Sequence, residues 1–110
     1  MKINLQQEGS VTTAVIDETR LDASVAPEFK SAMEAIITSG NDQLIIDISK
    51  LSFMDSSSLG AMVVVLKKIS ATGKMVIFGA SGTVLELFKL TRMDRIFTLT
   101  NDIETAKNYF

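Results

Sequence analysis

The sequence contains neither cysteine nor histidine. The absence of cysteine excludes disulfides, thiolate metal ligands and a cysteine nucleophile. The absence of histidine removes the side chain most used for proton transfer at neutral pH, and with it a Ser-His-Asp triad, a histidine zinc site and a phosphohistidine relay. Asp17, Asp22 and Asp55 could form a carboxylate acid–base pair, but loop and helix-cap roles account for each of them. We therefore predict a protein with no enzymatic activity and no cofactor, which acts by binding another protein.

Long apolar runs and an excess of one charge are also missing. The 110 residues carry a formal net charge of −2, with acidic and basic side chains interspersed, which predicts no binding to nucleic acid. The longest apolar run, residues 61–66, is far shorter than the ~20 residues that cross a bilayer. Residues 1–8 lack the apolar stretch of a secretory signal. These features predict a cytoplasmic protein without membrane insertion.

Strands are predicted from two kinds of apolar pattern within a single domain, residues 1–110. Alternation of apolar and polar residues near the N-terminus, followed by a turn at Gly9, indicates a β-hairpin. Nearly continuous apolar runs later in the chain are typical of strands buried on both faces. The hairpin pairs the segment around Ile3 and Leu5 with residues 11–16, and the later strands are residues 44–48, 75–78 and 96–99.

Four helices are predicted between and after these strands. Their expected starts are Ser24, the Asp55-Ser56 pair, Ser81, and Asn101 with Glu104 as a capping-box-like pair. In the second helix, residues 63–65 are all valine and favour a strand by propensity, but the 3.6-residue apolar period favours a helix. Alternating strands and helices indicate parallel pairing in the middle of the sheet, with the hairpin as an antiparallel edge.

Three consecutive serines follow Asp55 at the start of the second helix. One interpretation is capping, since Asp and Ser side chains accept hydrogen bonds from the first N–H groups of a helix. Capping needs only one such residue, however. The other interpretation is that a hydroxyl is presented where a phosphate would be stabilised by free N–H groups and the helix dipole. The two interpretations are compatible.

Residues 52–60, SFMDSSSLG, resemble the signature of the STAS domain family of bacterial anti-sigma-factor antagonists. In that family a strand leads into Asp-Ser-(Ser/Ala/Thr)-Gly-Leu-Gly, and the serine after the aspartate is phosphorylated. That serine maps onto Ser56. The resemblance covers the whole chain and implies a single STAS-like α/β domain, with a mixed β-sheet, an N-terminal hairpin and helices packed mainly on one face.

The resemblance also implies partners and a regulatory cycle. The unphosphorylated domain would bind an anti-sigma factor, often a serine kinase that brings its own ATP, and so free a sigma factor to direct transcription. Phosphorylation of Ser56 would release the anti-sigma factor, and a serine phosphatase would restore the hydroxyl. The acid at Asp22 is implied to lie close to the phosphorylated serine and to form part of the partner surface.

Two positions depart from the family pattern. Ser58 stands where the family usually has glycine, so we expect an added side chain where a partner approaches closely. Thr19-Arg20 stands where the family usually has glycine and an acid. Arg20 either changes which kinase is recognised or is a solvated surface charge.

An apolar patch is predicted on the outer side of the second helix. At about 100° per residue, Ala61 and Val64 fall opposite the apolar face, near Ser57. This placement predicts the centre of a docking patch, although scattered surface apolarity also explains it. The predicted partner-binding residues are Asp22, Asp55, Ser57, Ser58, Ala61 and Val64.

Two further interpretations remain open. Residues 79–82, GASG, lie between a strand and a helix as a phosphate-binding loop does, but they lack the Walker lysine and the full dinucleotide spacing, so a turn with an N-cap explains them too. STAS-like subunits also serve in lipid-transport complexes, in signalling assemblies and beside anion transporters. The alternative function is therefore a structural or interaction subunit of such an assembly.

Overall fold

The computed structural model describes residues 1–110 as an α/β domain built on a five-stranded sheet. The strands are β1 (Ile3–Glu8), β2 (Val11–Ile16), β3 (Arg20–Leu21), β4 (Gln43–Asp47), β5 (Phe53–Met54), β6 (Lys74–Phe78) and β7 (Leu99–Thr100). The main sheet has the order β1-β2-β4-β6-β7. Strands β1 and β2 form an antiparallel hairpin, and the other neighbours pair in parallel.

Helices cover both faces of this sheet unequally. They are α1 (Ala26–Thr38), α2 (Ser56–Ser70), α3 (Gly82–Leu90) and the short α4 (Ile103–Lys107), with a 3₁₀ turn at Met93–Arg95. Along β4, Leu44 and Ile46 face the large core formed with α1, α2 and α3, whereas Ile45 faces Ala106 of α4. Because side chains alternate between the faces of a strand, covering both faces requires the continuous apolar run of β4. The predicted mixed sheet, the N-terminal hairpin and the packing of the helices mainly on one face are confirmed.

Two helix starts differ from the prediction. Helix α1 begins after Val25, and no side chain caps it. Ser24 instead donates its backbone N–H and its hydroxyl to Asp22 Oδ1. The N-cap of α4 is Asp102, which accepts from the Thr105 N–H at 3.0 Å, so Asn101 is not the cap. In both cases the neighbouring aspartate, a stronger acceptor because it is charged, takes the local donors.

The last strand is also displaced from its predicted position at residues 96–99. The chain forms the 3₁₀ turn first, and β7 starts only at Leu99. Phe97 is buried and packs edge-to-face on Phe88 of α3, with ring centroids 5.6 Å apart. The apolar residues 96–99 therefore belong mostly to the connection before β7, where Phe97 contributes its side chain to the core.

The loop after β6 is shaped by a close backbone approach. Gly79 has φ +93°, and a Cβ at this position would lie 2.7 Å from the Ser49 Cβ. Ser81 occupies the N-cap position of α3 without forming a side-chain cap hydrogen bond. Glycine is thus required at position 79 by the positive φ of the turn and by the proximity of Ser49.

A small second sheet positions the serine motif. Strands β3 and β5 pair in parallel, with Arg20 opposite Phe53 and Leu21 opposite Met54. The Asp55 N–H continues the pairing and donates to the Leu21 carbonyl at 3.3 Å. This pairing joins the segment before α1 to the segment before α2, and it places Asp22 beside Asp55.

Candidate functional site

Asp55 organises the N-terminus of α2. It is the N-cap residue in extended conformation, and its Oδ1 accepts from the Ser58 N–H at 3.0 Å and from the Ser57 hydroxyl at 2.8 Å. Its Oδ2 accepts from the Ala23 N–H at 3.0 Å. These hydrogen bonds, chiefly that from the Ser58 N–H, lower the pKa of Asp55 to about 2. The site therefore carries a fixed negative charge at neutral pH.

The three serines after Asp55 have three different environments. Ser56 is exposed, and its hydroxyl forms no hydrogen bond within the chain. Ser57 is exposed but donates to Asp55. Ser58 is fully buried and donates to the Leu21 carbonyl at 2.6 Å. The expectation that Ser58 adds a side chain to the partner surface is therefore wrong, because its hydroxyl points inward and links α2 to β3.

Asp22 lies in the turn that enters α1. Its Oδ1 accepts from Ser24, and the Arg20 Nε lies 3.6 Å from its Oδ2. The Ser24 hydroxyl is the main cause of a lowered pKa for Asp22, while the nearby charge of Asp55 acts in the opposite direction. The structure thus brings Asp22 and Asp55 together, and both are ionised at neutral pH.

A shallow groove of about 370 Å³ runs between α1 and α2 beside these acids. Its lining residues are Ala23, Ala26, Pro27, Lys30, Ser57, Gly60, Ala61 and Val64. Val64 is 41% exposed, as expected, but Ala61 is only 7% exposed. The prediction that Ala61 lies on an open surface is wrong, because α1 packs against this side of α2 and makes Ala61 part of the core. Ala61 forms the floor of the groove and Val64 stands at its edge.

A second feature beside the serine motif was not anticipated from the sequence. The Arg20 guanidinium lies over the Phe53 ring, with its Cζ 4.3 Å from the ring centroid. The sequence identifies Arg20 as a departure from the family pattern but does not reveal that Phe53 is its partner. Only the pairing of β3 with β5 brings them together, and that pairing is too short to leave an apolar pattern in the sequence.

The structure contains no group of three or more His, Cys, Asp or Glu side chains placed to hold a metal ion. None of its helices combines the length and the apolar character needed to cross a bilayer.

Comparison with known proteins finds relatives by sequence and proteins of the same fold by structure. One relative, the anti-sigma-B factor antagonist of Listeria monocytogenes, is 33% identical over 82 residues, which are 74% of this chain and 72% of the relative. An anti-sigma factor antagonist from Mycobacterium paratuberculosis superposes with a TM-score of 0.88 at 18% identity, covering 98% of this chain and 92% of the other. Phosphorylated SpoIIAA of Bacillus superposes with a TM-score of 0.70 at 18% identity, covering 99% of this chain and 100% of SpoIIAA. At these identities the two structures show the shared fold.

The family match extends over almost the whole chain. The STAS domain family matches residues 2–106, a range that includes every element of the main sheet as well as Asp22, Asp55 and the three serines. The chain belongs to the STAS domain family.

Proposed function

We propose that this protein is an anti-sigma-factor antagonist whose binding is controlled by phosphorylation of Ser56. Ser56 is the one serine of the run whose hydroxyl is both exposed and without a hydrogen bond in the chain, and this observation carries the proposal. A kinase can reach it without breaking a contact of the fold. The Listeria relative bears the name anti-sigma-B factor antagonist, which supports the same partner class.

The first residue of α2 suits a reversible phosphate. Ser56 is the first helical residue, directly after its N-cap, where free backbone N–H groups and the helix dipole stabilise negative charge. A phosphoserine adds roughly 1.5 to 2 negative charges at pH 7. The domain therefore tolerates the modification. An anti-sigma factor matched to a neutral hydroxyl would instead meet that charge beside the carboxylates of Asp55 and Asp22.

The groove between α1 and α2 provides the rest of the docking surface. Val64 offers an exposed apolar side chain at its edge, and Ala61 and Ser57 line it next to the serine motif. Asp22 and Asp55 supply the charged border. Ser58 contributes from beneath by holding the N-terminus of α2 against β3.

The cycle requires catalytic partners, because we propose no enzymatic activity for this chain. A serine kinase, which can be the anti-sigma factor itself, transfers the phosphate to Ser56, and a serine phosphatase removes it. Bound, unphosphorylated protein sequesters the anti-sigma factor and frees the sigma factor for transcription. We expect this exchange to take place in the cytoplasm.

The test measures binding to the cognate anti-sigma factor. Ser56→Ala should bind it constitutively even in the presence of kinase and ATP, whereas Ser56→Asp should lose roughly tenfold or more in affinity and melt near the wild-type temperature. Ser57→Ala is the matched control and should still be phosphorylated and released. Mass spectrometry after incubation with the kinase locates the phosphate. Phosphate on Ser57, or full binding by Ser56→Asp, would refute the mechanism.

A further inference from the structure

An exposed arginine–aromatic pair lies where β3 pairs with β5, and neither of its residues lines the α1–α2 groove. Arg20 and Phe53 are opposite each other in the parallel pairing of β3 with β5. Arg20 lies two residues before Asp22, and Phe53 lies three residues before Ser56. The guanidinium stacks on the ring at 4.3 Å from its centroid. The Arg20 side chain is 60% exposed and Phe53 is 36% exposed.

The fold gains little from this pair. Phe53 is 36% exposed and is not a member of either hydrophobic core cluster, whereas the neighbouring Met54 is a core member. The ion pair of Arg20 with Asp22 has a separation of 3.6 Å at the surface, and exposed ion pairs contribute about 0–1 kcal/mol. Core membership and the ion pair therefore do not account for the part of this pair that stays exposed to solvent.

The same pair is well suited to recognition. Arginine and aromatic residues are enriched among the few interface residues that dominate binding energy. Stacking on Phe53 restricts the guanidinium before a partner arrives, which reduces the entropy lost on binding. The 3.6 Å contact with Asp22 is too long for a hydrogen bond, so the guanidinium N–H groups of Arg20 can donate to a planar anion such as a carboxylate.

We propose that Arg20 and Phe53 form a specificity anchor that selects an anti-sigma factor presenting a carboxylate to Arg20 beside an apolar side chain that covers Phe53. This inference rests on the proposed function, whose docking surface it extends across the serine motif. Asp22 and Asp55 place negative charge on this surface, whereas Arg20 places there a positive charge that requires an anionic group on the partner. Such alternating charge discriminates between related partners, because a partner with the opposite arrangement meets like charges.

The experiment compares charge reversal at two exposed arginines. Arg20→Glu should weaken binding of the unphosphorylated protein to its anti-sigma factor roughly tenfold or more. Arg95→Glu is the control, since Arg95 is exposed and forms no ion pair. Arg20→Lys should recover only part of the affinity, because an ammonium keeps the charge without the planar fork. All three variants should melt within a few degrees of the wild type.

A second pair of variants separates the ring from the charge. Phe53→Leu keeps an apolar side chain but removes the cation–π contact, and should cost less affinity than Phe53→Ala. Replacing the contacted carboxylate of the partner by lysine should restore binding to Arg20→Glu. If the wild type binds and Arg20→Glu binds equally well, the anchor is refuted while the proposed function stands. If the wild type fails to bind any cognate anti-sigma factor, the proposed function and the anchor are both refuted.

Discussion

The three consecutive serines at the start of α2 have different structural roles. The helical rotation of about 100° per residue turns Ser56 to solvent, Ser57 towards the N-cap carboxylate and Ser58 into the core. Asp55 connects two of them by accepting hydrogen bonds from both. The chemistry of the site therefore depends on the position of each serine relative to the cap more than on the number of hydroxyls.

The pH dependence of the free energy of unfolding should show how much the ionised Asp55 cap stabilises the fold. The pKa of Asp55 is lowered from 3.8 to about 2 in the folded protein, so the ionised form stabilises the fold. This contribution is complete above about pH 4 and is lost as the pH falls through about 2. In Asp55→Asn, which caps without titrating, stability should fall less steeply between pH 5 and pH 2. Chemical denaturation across this range is the measurement, and identical profiles for the two proteins would contradict the role of Asp55.

Asp22 should contribute to recognition more than to stability. Asp22→Asn keeps a side-chain acceptor for Ser24 but removes the charge, so the melting temperature should change little. Affinity for the anti-sigma factor, or the rate of phosphorylation, should fall several-fold. Ser24→Ala is the matched control, since it removes a hydrogen bond of the same turn and leaves the charge in place. A large drop in melting temperature with normal binding would reverse this assignment.

At the scale of elements, α2 has a buried face, a groove face and an exposed edge. The residues it buries are Ser58, Leu59, Ala61, Met62, Val65 and Ile69. This set is wider than the single apolar stripe expected from the sequence, because α2 contacts both the sheet and α1. Val64 remains outside, at the edge of the groove.

Charge placed on the groove edge should separate binding from folding. Val64→Lys should lower affinity for the anti-sigma factor by roughly tenfold, about 1.4 kcal/mol, because docking would bury an unpaired ammonium. The melting temperature should stay close to that of the wild type. Leu90→Lys is the control, as Leu90 is an exposed aliphatic residue at the end of α3. Titration calorimetry gives both affinities, and unchanged binding by Val64→Lys would exclude the groove edge from the interface.

Gly60 offers an independent test of the same groove. A Cβ at this helical position meets no atom within 4 Å, and replacing a helix-interior glycine by alanine adds about 1 kcal/mol of stability. Gly60→Gln should therefore be at least as stable as the wild type, yet its longer side chain should obstruct the groove and weaken binding. A variant that binds as tightly as the wild type would argue that the partner docks elsewhere.

At the scale of the whole molecule, the segments that follow β4 and β6 contact each other at one edge of the sheet. The end of β6 passes so close to the segment after β4 that Gly79 touches Ser49. The Ile48 N–H also donates to the Phe78 carbonyl at 2.9 Å. From the segment after β4, the chain continues through β5 to the serine motif. Packing around Gly79 thereby supports the segment that leads to the site.

Gly79→Ala should be strongly destabilising. The residue combines a positive φ with a Cβ position 2.7 Å from Ser49, and left-handed strain alone costs an alanine about 1–2 kcal/mol. Gly40→Ala separates the two causes, since Gly40 has φ +104° but no atom within 4 Å of the added Cβ. Thermal denaturation should show a larger loss for Gly79→Ala than for Gly40→Ala. Equal losses would mean that the contact with Ser49 adds no cost.

Local patterns in the chain were sufficient for most of the architecture. The apolar runs of β4 and β6 and the helical period of α2 each reflect a face that must be buried, so they can be recognised without knowing the partner element. The alternation at Ile3 and Leu5 also indicated β1, although Leu5 is 51% exposed. The valine triplet in α2 shows that period outweighs propensity, because burial of a whole face stabilises more than a backbone preference opposes. The motif after β5 likewise identified the family.

The details of the site depended on contacts between segments distant in sequence. The capping of α1, the start of β7 and the burial of Ser58 and Ala61 each depend on which neighbour lies opposite, and so does the stacking of Arg20 on Phe53. None of these contacts imposes a period or a composition on the sequence. The sequence by itself determined the hairpin, β4, β6, the presence of four helices and the position of the serine motif, since these follow from local patterns. Only the tertiary structure decided which hydroxyl is exposed and which groups surround it, because a side chain's environment is set by the elements packed against it.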